Sequence, residues 1–395
     1  MADPGGGWCW GVDRQLEIYK AGLAGQTPVQ PVSVDALEET ARSVLSPEAF
    51  DYVAGGAGAE ETMRANREAF RRRRLVPRFL RDVARRDLGV ELLGRKLPVP
   101  VLLAPLGVLS IVHKEAELAV ARAAAPLGIP LILSTVSSLP MEQVAAAMGE
   151  APRWFQLYWP RSDELAASLL GRAERAGFDA IVVTLDTYLL SWRERDIQNA
   201  YLPFVRGEGL ANYVTDPVFQ AALGGDPRLN PVRTIELFAR IFSDPSRTWD
   251  DLGRLRQATR LPILVKGVLH PDDARKALDQ GASGVIVSNH GGRQLDGAIA
   301  ALDALPRIVD AVGDRTTVLF DSGIRRGADV LKAMALGARS VLLGRPYAYG
   351  LAAGGADGVR EVLLNLISDI DLTLGLAGHA SFADLDRSCL MEASG

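Results

Sequence analysis

The sequence predicts an α/β fold, a (β/α)8 TIM barrel with an N-terminal helical segment and a long loop after its fourth strand. From about residue 99, eight short aliphatic runs alternate with amphipathic stretches, the rhythm of βα units around a parallel sheet. Three of those stretches end in glycine, which takes a left-handed helix cap without steric cost. Composition agrees: 48% hydrophobic, 23% charged and 6% aromatic residues, with 39 Gly and 22 Pro, suit a globular α/β chain rich in tight turns. An open doubly wound sheet would need its strand order to reverse at a point the sequence does not mark.

The eight runs are Val99–Gly107, Pro130–Thr135, Arg153–Trp159, Ala180–Asp186, Pro262–Gly267, Gly284–His290, Thr317–Gly323 and Ser340–Pro346. Helix-like stretches between them include MEQVAAAM, DELAASLLGRAERAG, PDDARKALDQG and GADVLKAMALG. Residues 1–95 read as a helical segment packing on the barrel, with Val34–Val44 and then Pro47–Val53 entering the glycine-rich AGGAGAE. The barrel takes 96–385, and 386–395 is a tail. Residues 187–248 are too long for an ordinary βα loop, and a long connection with little regular structure is expected to be a lid over the active-site face.

Lys+Arg 44 against Asp+Glu 48 leaves a net charge of −4, which favours neither nucleic acid nor an anionic membrane as partner. Cys9 and Cys389 lie near opposite ends and build neither a disulfide framework nor a cysteine metal site. The start MADPGGGWCWGVDRQ has no basic, apolar leader pattern, and the stretch Pro98–Val112 is interrupted by Pro100, Pro105 and Gly107. A cytoplasmic location is therefore expected.

Barrel enzymes place their chemistry at the C-terminal strand ends, and these ends are polar here. They carry Gln156 and Tyr158, Thr184 and Asp186, Lys266, Ser288 and His290 followed by Arg293, Asp321, Gly323 and Arg325, and Gly344 and Arg345. The last two ends have the makings of a phosphate site, small residues letting backbone N–H groups close on an anion that Arg325 and Arg345 neutralise. Among His113, His270, His290 and His379, only His290 directly follows an aliphatic strand and precedes two glycines. It reads as a general base, with Arg293 placed to grip a carboxylate and Lys266 and Asp186 at neighbouring ends. One histidine among several cations favours an anionic ligand, so no metal is expected.

These residues resemble the FMN-dependent α-hydroxy-acid oxidases and dehydrogenases, from about Tyr19 to about Leu385. The most specific string is SNHGGRQLD at 288–296, joined by APLG at 104–107, FQLY at 155–158, TLDT at 184–187, LVKG at 264–267, DSGIRRGADV at 321–330 and LGRPYA at 343–348. The stretches YVAGGAG at 52–58, SWRERDI at 191–197, PFVRG at 203–207 and NYVTDPVFQ at 212–220 are most similar to the lactate 2-monooxygenase subgroup. The resemblance implies bound FMN, a small 2-hydroxy acid and molecular oxygen as reactants, and a homo-oligomer, usually a tetramer.

By the same resemblance, Tyr52, Tyr158, Arg193 and Arg293 surround the substrate, and His290 is the catalytic base assisted by Asp186. Lys266 lies near flavin N1. Ala104, Pro105, Leu106, Gly107, Ser134, Gln156, Thr184 and Ser288 face the flavin ring and ribityl chain. Asp321, Gly323, Arg325, Gly344 and Arg345 hold the ribityl chain and phosphate. The implied reaction passes the α-hydrogen to the flavin as hydride while His290 takes the hydroxyl proton. A carbanion route uses the same residues. Early release of the 2-oxo acid gives hydrogen peroxide, whereas retention gives a decarboxylated acid. Gly107 matches the monooxygenase pattern, which some dehydrogenases share, and Val136 leaves room for a substrate larger than glycolate. Two other readings are a flavin dehydrogenase using a quinone or protein acceptor and a non-catalytic barrel binding a phosphorylated ligand.

Overall fold

The computed structural model describes residues 10–393, so the cysteine at position 9 lies outside the described residues. Eight parallel strands close into one barrel, and each pairs with its neighbours in sequence. They are β1 (Val101–Leu103), β2 (Leu131–Leu133), β3 (Arg153–Tyr158), β4 (Ala180–Thr184), β5 (Ile263–Val268), β6 (Gly284–Val287), β7 (Thr317–Phe320) and β8 (Ser340–Leu343). Closure comes from β8 against β1, with Val341, Leu342 and Leu343 opposite Val101, Leu102 and Leu103. Every residue of β1, β2, β4, β6 and β8 is buried, which is why these strands read as unbroken aliphatic runs. The strands are shorter than the runs because the polar ends already belong to the loops.

Four helices precede the barrel: α1 (Trp10–Leu23), α2 (Val34–Val44), α3 (Pro47–Ala54) and α4 (Glu61–Arg72). Ser33 and Ser46 cap α2 and α3 by accepting from the N–H groups of Ala36 and Ala49, and Pro47 occupies the first turn, where a missing N–H costs nothing. Helix α3 buries Ala49, Phe50 and Ala54 and delivers its C-terminal end to the rim of the barrel. At the other end of the chain, Leu390–Glu392 pairs antiparallel with Arg73–Leu75.

Residues 187–248 differ from the expectation of little regular structure. They form helices at Glu194–Gln198, Ala211–Val214, Pro217–Leu223 and Pro231–Ile241. Asp216 and Asn230 cap two of these, each followed by proline. The excursion has a small core of its own, Tyr213 meeting Phe238 edge-on at 4.9 Å and Phe238 lying 5.1 Å from Phe242. Asn212, fully buried, ties it to the loop after β2, donating to Thr135 O (3.1 Å) and Ser137 Oγ (2.9 Å) while accepting from Met141 N (2.9 Å). Much of the segment is thus a fixed wall.

Candidate active site

The C-terminal mouth of the barrel opens into a cleft of about 1340 Å3, partly continuous with solvent.

Polar strand ends form its floor. Gln156 accepts from Ser134 Oγ (3.1 Å) and donates to Thr184 Oγ1 (3.0 Å). Lys266 Nζ donates to Ser288 Oγ (3.1 Å) and sits 3.1 Å from Asp321 Oδ2, which also accepts from Ser288 Oγ at 2.6 Å. Burial works against the charge on Lys266, but Asp321 and Asp186 outweigh it and raise its pKa above the ordinary value. Lys266 and Asp321 reach the cleft lining; Ser134, Gln156, Thr184 and Ser288 lie beneath it, fastened to one another or to Lys266 and Asp321.

His290 stands on the loop after β6 with φ +57°, a left-handed conformation that costs about 1 kcal/mol or more in a residue with a side chain. The surrounding groups hold it there. His290 N donates to Ser288 Oγ (2.9 Å), Gly291 N to Ser322 Oγ (3.0 Å), and the amides of Asn289 and Asn66 exchange two hydrogen bonds of 2.8 Å. A side chain at Gly292 would stand 2.6 Å from Met63 N, so glycine is required where the loop meets α4.

His290 Nδ1 is 2.7 Å from Asp186 Oδ1, and Thr187 Oγ1 donates to the same carboxylate oxygen at 3.0 Å. Burial, and after it the charge of Lys266, push the imidazole below its ordinary value of 6.5 against the pull of Asp186, so the ring is neutral near pH 7. Burial alone would raise Asp186, yet His290 and Lys266 bring it below the ordinary carboxylate value. With Nδ1–H directed at Asp186, Nε2 carries the free lone pair, the form a general base needs.

The rim is cationic. Arg293 Nη1 donates to Gly55 O (2.8 Å), which also accepts from Arg345 Nη2 (2.8 Å); Arg345 adds Val53 O (3.2 Å) and Gly291 O (3.0 Å). The electron-rich C-terminal end of α3 thereby solvates two guanidinium groups. Arg193 donates to Arg293 O (3.2 Å), Ser191 Oγ (3.1 Å) and Gln294 Oε1 (2.9 Å). Arg293 and Arg193 lie 5.1 and 6.0 Å from the Tyr52 ring centre. Burial and the nearby Arg193 lower Arg293 to about 9. Arg325 lines the cleft but also bonds Glu38 at 3.0 Å.

Ala104, Pro105, Leu106 and Gly107 form one wall, Gly344 adjoins Ala104, Gly323 also lines the cleft, and Tyr158 reaches the lining from β3. A Cβ on Gly107 would meet Val136 Cγ2 at 2.5 Å, so packing itself demands glycine there. Val136, Phe204, Phe242 and Leu190 supply apolar surface. Sequence reasoning did not find Thr187, Ser322, Asn66 or the carbonyls of Val53 and Gly55. Asn289, inside the SNHGGRQLD string, was the one available signal for the amide pair. Of the other histidines, His270 caps the helix Pro271–Asp279 and His379 lies 3.5 Å from Cys389 Sγ.

A family model described as FMN-dependent dehydrogenase matches residues 41–392. The chain belongs to the FMN-dependent α-hydroxy-acid oxidase and dehydrogenase family. It is 45% identical to an FMN-dependent alpha-hydroxy acid dehydrogenase of Penicillium citrinum over 384 residues, covering 96% of both chains. It is 44% identical to an L-lactate oxidase of Lysinibacillus sphaericus, covering 96% of this chain and 97% of the relative. A solved mandelate oxidase with (S)-4-hydroxymandelic acid superposes with a TM-score of 0.82 at 42% identity, covering 92% of this chain and 99% of that one. As a family member the chain is an FMN-dependent oxidoreductase of 2-hydroxy acids. The cleft fits the cofactor chemically: it offers a buried cation, apolar surface, and an arginine-bearing end where Gly344 leaves open space, its imagined Cβ no closer than 3.9 Å to any neighbour. Among the described residues, no helix is long and apolar enough to cross a membrane.

Proposed function

We propose that this protein oxidises an L-2-hydroxy acid with an aliphatic or aryl side chain to the 2-oxo acid, with molecular oxygen as final electron acceptor. The observation carrying the proposal is His290 paired with Asp186 at 2.7 Å in one cleft with Arg193 and Arg293. Arg193 and Arg293 hold the substrate carboxylate, Tyr52 and Tyr158 flank it, and His290 Nε2 takes the hydroxyl proton. Asp186 stabilises the imidazolium that results, because its carboxylate is already ionised and in contact. Bound FMN supplies the two-electron acceptor. Lys266 would supply positive charge to the flavin ring, and residues 104–107 with Ser134, Gln156, Thr184 and Ser288 would help hold the ring and ribityl chain. Asp321, Gly323, Arg325, Gly344 and Arg345 hold the ribityl phosphate.

Val136, Phe204 and Phe242 favour a substrate with an apolar side chain over glycolate, since a bare glycolate would leave their surface unfilled. The same wall supports a second reading, retention of the 2-oxo acid long enough for oxidative decarboxylation, as in the lactate 2-monooxygenase subgroup. A product assay under air with lactate and mandelate, reading 2-oxo acid, peroxide and CO2 together, tests both. Stoichiometric peroxide identifies a simple oxidase, CO2 without peroxide the decarboxylating outcome, and substrate-driven flavin reduction without oxygen uptake overturns the oxygen reading. Cytoplasmic location and a homotetramer belong to the same proposal; fractionation and solution mass measurement test them.

A further inference from the structure

Arg193, buried, and Arg293, partly buried, bring two positive charges to the same part of the cleft, both within about 6 Å of the Tyr52 ring centre. The carboxylate beside them is Asp196, on the short helix that begins just after Arg193. Its Oδ2 lies 3.7 Å from Arg193 Nη1, and its side chain is only 11% exposed. Burial raises its pKa above the ordinary carboxylate value, while the charges of Arg293 and Arg193 pull it back down. The neighbouring acids are engaged elsewhere: Arg195 takes Glu60 at 2.7 Å and Asp51 at 3.5 Å, and Asn199 also donates to Asp51 at 2.8 Å. Arg345, the next cation, shares Gly55 O with Arg293 and keeps its positive charge, which the proposed function assigns to the FMN phosphate.

The charges can then be counted. With the charge of Arg345 taken by that phosphate in the FMN-loaded enzyme, two guanidinium groups and one carboxylate leave a net +1, which one monocarboxylate cancels. A dicarboxylate would leave the buried cluster with an unbalanced negative charge, and unbalanced buried charge is expensive. We infer that Asp196 is a specificity-determining residue that makes this carboxylate receptor select monoanions over dianions. The inference rests on the proposed role of Arg193 and Arg293 in binding the substrate carboxylate.

Two ligands of similar shape separate charge from fit: malonate, a dianion at pH 8, and its monomethyl ester, a monoanion. Calorimetric titration of the FMN-loaded enzyme reads their affinities without turnover. The wild type should bind the ester at least about tenfold more tightly than malonate, the effect of one unbalanced charge at several ångströms in a partly screened site. Asp196→Asn, nearly isosteric, should shift the malonate-to-ester ratio toward malonate by about tenfold or more, and Asp196→Glu should restore the wild-type ratio. A purely structural role for Asp196 would weaken both ligands alike.

An unchanged ratio in a fully FMN-loaded Asp196→Asn protein overturns the inference. If that variant fails to fold, the wild-type preference decides, and malonate binding as tightly as the ester overturns it. Failure of the wild type to bind either ligand would instead overturn the carboxylate-receptor reading, and the inference with it.

Discussion

Asp186→Asn tests the reaction chemistry most directly. The change keeps the shape of the side chain and removes the charge that sits 2.7 Å from His290 Nδ1. At an effective dielectric of about 20, unit charges at that distance attract by roughly 6 kcal/mol. Part of this survives as a hydrogen bond to the amide and part is recovered by relaxation, so a loss of about 3 to 4 kcal/mol is expected, in line with removing one partner of a buried ion pair. If His290 accepts the proton in the rate-limiting step, this loss lowers the reduction rate by roughly two to three orders of magnitude. The assay is anaerobic stopped-flow, following flavin absorbance over a range of pH. The direction of the pH shift is also fixed. The base works when unprotonated, so the acid limb lies at the imidazole pKa, already below 6.5 in the native protein. Asp186 pulls that pKa upward, so its removal moves the limb to still lower pH. A reduction rate within tenfold of wild type at full FMN occupancy, or a limb displaced to higher pH, refutes the role given to the pair.

Arg293→Lys keeps a charge but loses the planar fork and the reach to Gly55 O; KM should rise about 10- to 100-fold with a smaller change in kcat, measured under steady state. Asn212→Ala strips the excursion of its buried hydrogen bonds to the loop after β2 and should cost about 2 to 4 kcal/mol, read as a lower Tm. An unchanged Tm would mean that the wall is held by its aromatic contacts alone. Glu117, buried under the loop after β1, is pushed by desolvation from 4.5 up to about 7. Between those values the folded chain retains a proton the unfolded chain has lost, so stability falls with rising pH by roughly 3 kcal/mol across the window. Glu117→Gln removes that term, and its Tm advantage over wild type should be greater at pH 8 than at pH 5.

The barrel was legible because burial on both faces leaves a strand no choice but aliphatic residues, as in Ala180–Thr184 and Gly284–Val287. His290, Asp186 and Lys266 were legible for the complementary reason: a polar group at the end of such a run has to be paired or used. The excursion was misjudged in its regularity. Its capping signals, Asp216-Pro217 and Asn230-Pro231, are local and were available, but the helices they start are short, and their apolar faces serve a small satellite core. What no pattern could supply was backbone chemistry. Val53 O and Gly55 O hold the rim arginines wherever the chain passes, whatever their side chains, so the sequence carries no mark of them.

That choice of acceptor has a functional consequence. A buried guanidinium needs partners for its N–H groups, and a carboxylate would provide them at the expense of the positive charge. A carbonyl satisfies the N–H and leaves the charge in place. Arg293 and Arg345 share Gly55 O and so keep their charge for an incoming anion, the substrate carboxylate for one and the phosphate for the other in the proposed function. Arg325 shows the contrast, because Glu38 at 3.0 Å already balances it. If these roles hold, Arg345 carries most of the phosphate affinity. Arg345→Met should then weaken FMN binding far more than Arg325→Met, as measured by release of flavin fluorescence on dilution. Equal losses in the two variants would show that Glu38 gives up Arg325 when the cofactor binds.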